Sequence, residues 1–173
     1  MRKETEMLRA FKKRARLFIQ DPPQYSDNWQ WLALARHAGL PTRLLDWSES
    51  AGVAVYFAVR KRRQDPIDSA LWCSKKPQAV TTDKDEPFTL PDIRLYEPPH
   101  VAHRLFVQRS VFTVHPTEYK DKEVKWPGMH IKVIIPAALR EPLRCLLADL
   151  GIDHASLCPE PEAIASALVE QYW

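Results

Sequence analysis

At 173 residues the chain has room for one domain that buries about two-thirds of its unfolded surface. Its apolar fraction of 45% and charged fraction of 27% are those of an ordinary globule and exclude a disordered chain. Only four glycines stand against fifteen prolines, so the connections should be stiff. No Gly-rich phosphate loop exists, which removes P-loop NTPases and the usual dinucleotide fold. The net charge of +3 favours an ordinary protein over a dedicated nucleic-acid binder.

In chain order, residues 5–19 read as a basic amphipathic helix. Met7, Leu8, Phe11, Ala15 and Phe18 recur at three- and four-residue steps, with Arg9, Lys12, Lys13 and Arg16 largely elsewhere. Asp21 and the two prolines after it end that helix. A second helix should start at a Ser26 or Asp27 cap and run through Trp29 to His37, with Gly39 as a left-handed C-cap and Pro41 blocking its resumption. Thr42 to Trp47 reads as a strand or extended turn. The apolar run Val53 to Val59 is undecided by periodicity; the acidic Ser48-Glu-Ser50 opening before it and Arg60-Lys-Arg-Arg63 after it match a helix macrodipole and favour a buried helix, while its β-branched residues keep a strand open.

Ala70 to Cys73 predicts a short strand. Residues 77–100 are a polar, Pro-rich excursion of the kind that is functional or partly disordered. Val107 to Val114 and Ile131 to Ile135 predict strands. Helices should follow over residues 137–150, stopped by Gly151, and over residues 161–172. The order gives an α+β fold, with helices flanking a small mixed or antiparallel sheet. We read residues 1–173 as a single domain: a basic N-terminal helix (1–25), a signature region (26–64), a loop-rich part (65–106), then strands and C-terminal helices (107–173).

Three widely spaced cysteines point to free thiols in a reducing compartment, and no apolar run approaches the roughly 18 residues that span a bilayer. With no signal peptide in Met1 to Glu6, a cytoplasmic protein without a membrane partner is expected. Cys73 and Cys145 should be inert packing, with Cys158 in a loop. His100 and His103 are three apart without further ligands, so no metal site is expected. No GxSxG elbow supports hydrolase chemistry.

Residues 37–48 are different, because polar groups stand there in an apolar setting. His37, Thr42, Arg43, Asp46 and Ser48 lie among Leu44, Leu45 and Trp47, and burying them unpaired would be costly. Either Arg43 and Asp46 pair internally and His37 satisfies a backbone carbonyl, or these groups line a pocket for a ligand bearing phosphate or amide groups.

The run Trp31-Leu-Ala-Leu-Ala-Arg-His-Ala-Gly-Leu-Pro-Thr-Arg-Leu-Leu-Asp-Trp-Ser-Glu-Ser50, within Trp29 to Val59, resembles the central signature of FRG domains. Gln108 with Phe112 is similar to a late Gln-x-x-x-Phe strand of that family, and Lys132 to Pro136 and Gly151-Ile152 follow in the expected order. The Phe/Tyr-Arg-Gly motif that names the family is missing, so a truncated or divergent member is expected. Arg36 replaces the Gln common before the signature His, and Arg109 and Ser110 occupy positions where a small Gly often follows the late Gln.

The resemblance implies an organisation similar to ADP-ribosyltransferases, and with it NAD as a substrate and a bacterial toxin or phage-defence role. It assigns His37, Gln108 and Ser48 to catalysis and Thr42, Arg43, Asp46 and Arg36 to NAD binding. In that scheme Gln108 orients the ribose or acceptor and Arg43 holds a phosphate. The acceptor would be a nucleic acid or a protein, and a partner protein or antitoxin is implied. The alternative is a non-catalytic module binding a nucleotide, RNA or protein, with Lys12 to Arg14 and Arg60 to Arg63 as its basic stretches; a metal-free nuclease using His37 and Arg43 is a third reading.

Overall fold

A computed structural model describes residues 2–60, 67–99, 103–116, 128, 130–158, 165 and 169. The elements are α1 (Arg2–Ala15), α2 (Asn28–His37), β1 (Leu44–Ser48), α3 (Ala51–Val59), β2 (Ser69–Ser74), β3 (Arg94–Tyr96), α4 (His103–Val107), β4 (Ser110–Val114), β5 (His130–Ile135), α5 (Arg140–Asp149) and α6 (His154–Leu157), with a 3-10 turn at Ala137–Leu139. The fold is α+β with two small sheets. It divides into two compact units, one drawn from Met1–Trp47, Lys76–Ala102 and Val111–Pro127, the other from Ser48–Lys75, His103–Ser110 and Gly128–Trp173. His100, residues 61–63 of the second basic stretch and nearly all of the expected 161–172 helix lie outside the described residues.

The first unit is organised by α2. Asp27 caps it, its carboxylate accepting from the Gln30 amide at 3.0 Å, so one orphan donor of the first turn is satisfied. Gly39 follows the helix at φ +88°, a region in which a Cβ is strained. Trp29, Trp31, Leu32, Ala33, Leu34 and Ala35 are all buried. Each indole finds an acceptor: Trp29 donates to the Asp85 carbonyl at 2.8 Å and Trp31 to that of Gln24 at 3.0 Å. Complete burial of a side chain such as Leu32 stabilises by about 1.5–3 kcal/mol.

In this unit's three-stranded sheet β4 lies between β1 and β3. Its central position explains why Val111, Phe112, Thr113 and Val114 are buried without alternation. β3 pairs with β4 antiparallel, Leu95 opposite Thr113. Residues 77–99, expected to be functional or partly disordered, supply β3 and the buried Pro87, Leu90 and Ile93. The Tyr96 ring stacks 6.4 Å from Phe112, and burial pushes its phenol well above the usual range. Its hydroxyl has no hydrogen-bond partner among the described residues.

α1 lays Leu8 against this unit and sets Phe11 edge-on to Trp31 at 6.2 Å. Two details differ from the periodicity reading. Lys12 is 5% exposed, its ammonium donating to the Tyr25 carbonyl at 2.8 Å and to Asn28 Oδ1 at 2.7 Å, and desolvation lowers its pKa. Phe18, expected on the apolar face, is instead almost fully exposed, because the helix ends at Ala15 and the chain turns away.

In the second unit, α3 is a helix, capped by Ser50 accepting from the Val53 amide. It buries Val53, Tyr56 and Val59, three apart on one face, against Ile135, Leu147 and Leu157. Ala54, Val55, Phe57 and Ala58 stay half-buried. β2 and β5 form an antiparallel ribbon with Leu71 opposite Val133. α5 begins at Arg140, after the 3-10 turn, and Gly151 follows it at φ +73°. The Arg140 guanidinium donates to the Ile67 carbonyl.

The cysteines reverse the expectation. Cys73 and Cys145 are exposed and Cys158 is buried. On α5 the buried side chains are Arg140 and Leu147, which turns Cys145 outward. No helix among the described residues is long and apolar enough to cross a membrane.

Candidate functional site

The residues singled out by sequence fall into two groups. The first belongs to the unit built around α2. Arg43, just before β1, is 3% exposed at its side chain and is held mainly by Glu4 of α1. Glu4 Oε1 accepts from the Arg43 backbone amide at 2.8 Å and from Nε at 3.3 Å; Oε2 accepts from Nη2 at 2.7 Å. Nη1 donates to the Pro87 carbonyl at 2.8 Å, and the guanidinium lies 4.5 Å from the Phe88 ring centroid. A buried arginine is tolerated when its donors and charge are satisfied in this way.

Asp46 pairs with Arg36, not with Arg43. Arg36 Nε reaches Asp46 Oδ2 at 2.6 Å and Nη2 reaches the same oxygen at 2.5 Å, with both side chains partly open to solvent. The internal Arg43–Asp46 pair expected from the sequence is thus not formed: Arg43 is paired inside by Glu4, and Asp46 meets Arg36 nearer the surface. The amphipathic reading of α1 had no way to place Glu4, 39 residues before Arg43, beside it. Thr42 makes a local turn, its Oγ1 accepting from the Leu44 amide at 3.3 Å. His37 closes α2, is half-buried and has interactions within the protein.

The same unit holds a polar chain that sequence reasoning missed. The Trp47 indole donates to Thr113 Oγ1 at 3.0 Å, and Thr113 Oγ1 lies 2.9 Å from His115 Nε2. The threonine hydroxyl, already accepting from the indole, can still donate to Nε2 or accept from it, according to the histidine tautomer. Burial lowers the His115 pKa and keeps the ring neutral. The sequence placed Thr113 only on an expected strand from Val107 to Val114, with no sign of its partners.

The second group belongs to the other unit. Ser48 Oγ donates to the Gln108 carbonyl at 2.8 Å and accepts from the Ser50 amide at 3.1 Å. The Glu49 amide donates to the Arg109 carbonyl at 3.1 Å. The sequence pattern put Gln108 on a strand, but α4 ends at Val107 and β4 starts at Ser110. Gln108 therefore sits in the intervening turn, next to Arg109 at φ +47°. Its Nε2 donates to the Leu157 carbonyl at 2.8 Å and lies 3.9 Å from Cys158 Sγ. That bond fixes the amide's orientation and turns Oε1 away as an acceptor with no partner among the described residues. Tyr56 Oη lies 3.3 Å from His154 Nδ1 in the same unit.

Ser48 and Gln108 are joined; Arg36 and Asp46 are joined; Arg43 is bound to Glu4. Among the described residues no cluster of His, Cys, Asp or Glu could hold a metal ion.

Residues 1–66 match the family model of the FRG domain. The match takes in the whole Trp29 to Val59 signature and stops short of Gln108. No curated protein and no solved structure gives a significant match to the chain.

Proposed function

We propose that this protein with an FRG-domain match is an ADP-ribosyltransferase-like enzyme that consumes NAD, acting as a bacterial toxin or phage-defence effector on a protein or nucleic-acid acceptor. The observation that carries the reading is Gln108: its amide nitrogen is anchored on the Leu157 carbonyl, and its Oε1 takes no hydrogen bond from the described residues. Such an acceptor suits a ribose hydroxyl, because it orients the sugar and strengthens as positive charge develops at C1′. In the reaction the bond between ribose C1′ and the nicotinamide nitrogen breaks, and its electron pair leaves with nicotinamide. The acceptor's nucleophile then bonds to C1′ and gives up its proton. Ser48 steadies the turn carrying Gln108 through its carbonyl, which makes it a positioning residue.

A second reading, a non-catalytic module for a nucleotide, RNA or protein, is favoured by a specific observation. The arginines assigned to phosphate are already occupied, Arg43 by Glu4 and Arg36 by Asp46. Phosphate binding by Arg43 requires Glu4 to yield its place.

Purified protein incubated with labelled NAD and candidate RNA, DNA and protein acceptors separates the two. The enzymatic reading expects nicotinamide release and label transfer to one acceptor, with release lost in Gln108→Ala at unchanged Tm. Absence of nicotinamide release together with absence of an NAD-dependent rise in Tm overturns it.

A further inference from the structure

The C-terminal end of α1 presents a combination that neither the core nor the candidate site uses. Leu17 and Phe18 are 83% and 86% exposed, the two most exposed large apolar side chains among the described residues, and they are adjacent. The α1 face toward solvent carries Arg9, Lys13 and Arg14, with Arg16 just beyond the helix end, and all four are exposed. The chain keeps turning past Ala15, the Leu17 amide reaching the Arg14 carbonyl at 3.4 Å and the Phe18 amide the Ala15 carbonyl at 2.9 Å. This geometry sets Leu17 one turn beyond Lys13 and Arg14, and Phe18 one turn beyond Arg14. From Met7 to Gln20 there is no acidic residue.

Charges in a last helical turn commonly complement the helix dipole, and Lys12, Lys13 and Arg14 do so here. That role does not extend to Arg16 or to the two apolar side chains. The buried side of α1 is meanwhile complete: Leu8 and Lys12 are fully buried and Phe11 and Ala15 half-buried. Two bulky apolar groups in water at the end of a run of exposed cations suit a surface that offers both negative charge and hydrocarbon.

We propose that this tip docks the protein peripherally on an anionic phospholipid surface, with Leu17 and Phe18 entering the headgroup–acyl boundary and Arg9, Lys13, Arg14 and Arg16 against the lipid phosphates. The charge complementarity is lipid-like because the cations flank an aliphatic side chain as well as an aromatic one. A single-stranded nucleic acid would stack on Phe18 but gain little from Leu17. Docking of this kind is superficial and reversible, and it is independent of whether the Gln108 turn handles NAD.

The test is co-sedimentation of the full chain with vesicles of neutral phosphatidylcholine alone and with about one-third phosphatidylserine, at low and high salt. Each cation near an anionic surface raises partitioning about fivefold. Binding should therefore appear on the anionic vesicles only and weaken with salt. It should fall at least tenfold in Lys13→Glu/Arg14→Glu and in Leu17→Ser/Phe18→Ser, with unchanged circular dichroism and Tm. Equal binding to neutral and anionic vesicles, no binding to either, or anionic binding indifferent to Leu17→Ser/Phe18→Ser overturns the proposal. So does salt-sensitive binding of a labelled RNA that depends on Phe18 while vesicles are ignored. Self-association that disappears in Leu17→Ser/Phe18→Ser, without vesicle binding, overturns it in favour of a second copy of the chain.

Discussion

Replacing Glu4 with Ala should destabilise the protein far more than an acidic residue on an N-terminal helix normally would. The substitution removes a carboxylate that accepts from the backbone amide, Nε and Nη2 of Arg43. The guanidinium is left with the Pro87 carbonyl and the Phe88 ring, at a site where its own side chain is 3% exposed. Stranding one partner of a buried ion pair costs about 3–5 kcal/mol. Glu4 itself is 16% exposed, which lets water into the vacated position and sets the expectation at the lower end, about 3 kcal/mol. For a chain of this size each kcal/mol moves Tm by about 2–4 °C, so a drop on the order of 10 °C is expected. Urea unfolding of wild type, Glu4→Ala, Arg43→Met and the double variant measures it. The double variant should recover most of the loss, because removing both partners leaves no buried charge. A loss below about 1 kcal/mol in Glu4→Ala, or additive losses in the double variant, would refute the reasoning.

Two further outcomes follow from single groups. His115 is held neutral by burial, so its folded pKa lies below its unfolded value and the unfolded chain takes up the extra proton. Stability should decline as pH falls through the unfolded His range, about 6.5, and the slope should flatten in His115→Phe, as followed by denaturation midpoints between pH 8 and pH 5. Gly39→Ala should cost about 1 kcal/mol from backbone strain alone, since φ is +88° and an added Cβ meets nothing within 4 Å. Chemical denaturation giving no loss would mean that the α2 terminus relaxes freely.

What could be read from the sequence was the part written in local rules. The Asp27 cap, the apolar Trp29 to Ala35 stretch and Gly39 mark α2 to within a residue or two, whereas the run to Val59 left a strand open until the structure made it α3. β2 falls where the short apolar run Ala70 to Cys73 put it, and β5 where alternation and β-branched residues put it. The rest depends on partners distant in sequence. Lys12 is inside because Tyr25 and Asn28 satisfy its ammonium, while Phe18 is outside because the helix has already ended. Residues 107–114 alternate like one strand, yet α4 ends at Val107 and a positive φ at Arg109 puts Gln108 in a turn. The signature segment announced that its polar groups must be paired. Which acid meets which arginine, Glu4 for Arg43 and Asp46 for Arg36, is decided by tertiary contact.

The central proposal is that Gln108 presents its side-chain oxygen to the ribose of NAD. The most direct measurement follows the Gln108 side-chain amide in a nitrogen–proton correlation spectrum while NAD is titrated in, with its resonance assigned by its absence in Gln108→Ala. The account predicts a saturable shift of that resonance with NAD, a much smaller one with nicotinamide alone, and weaker NAD binding by Gln108→Ala. A Gln108 resonance that stays fixed while NAD saturates other residues, or equal NAD affinity in Gln108→Ala, would contradict it.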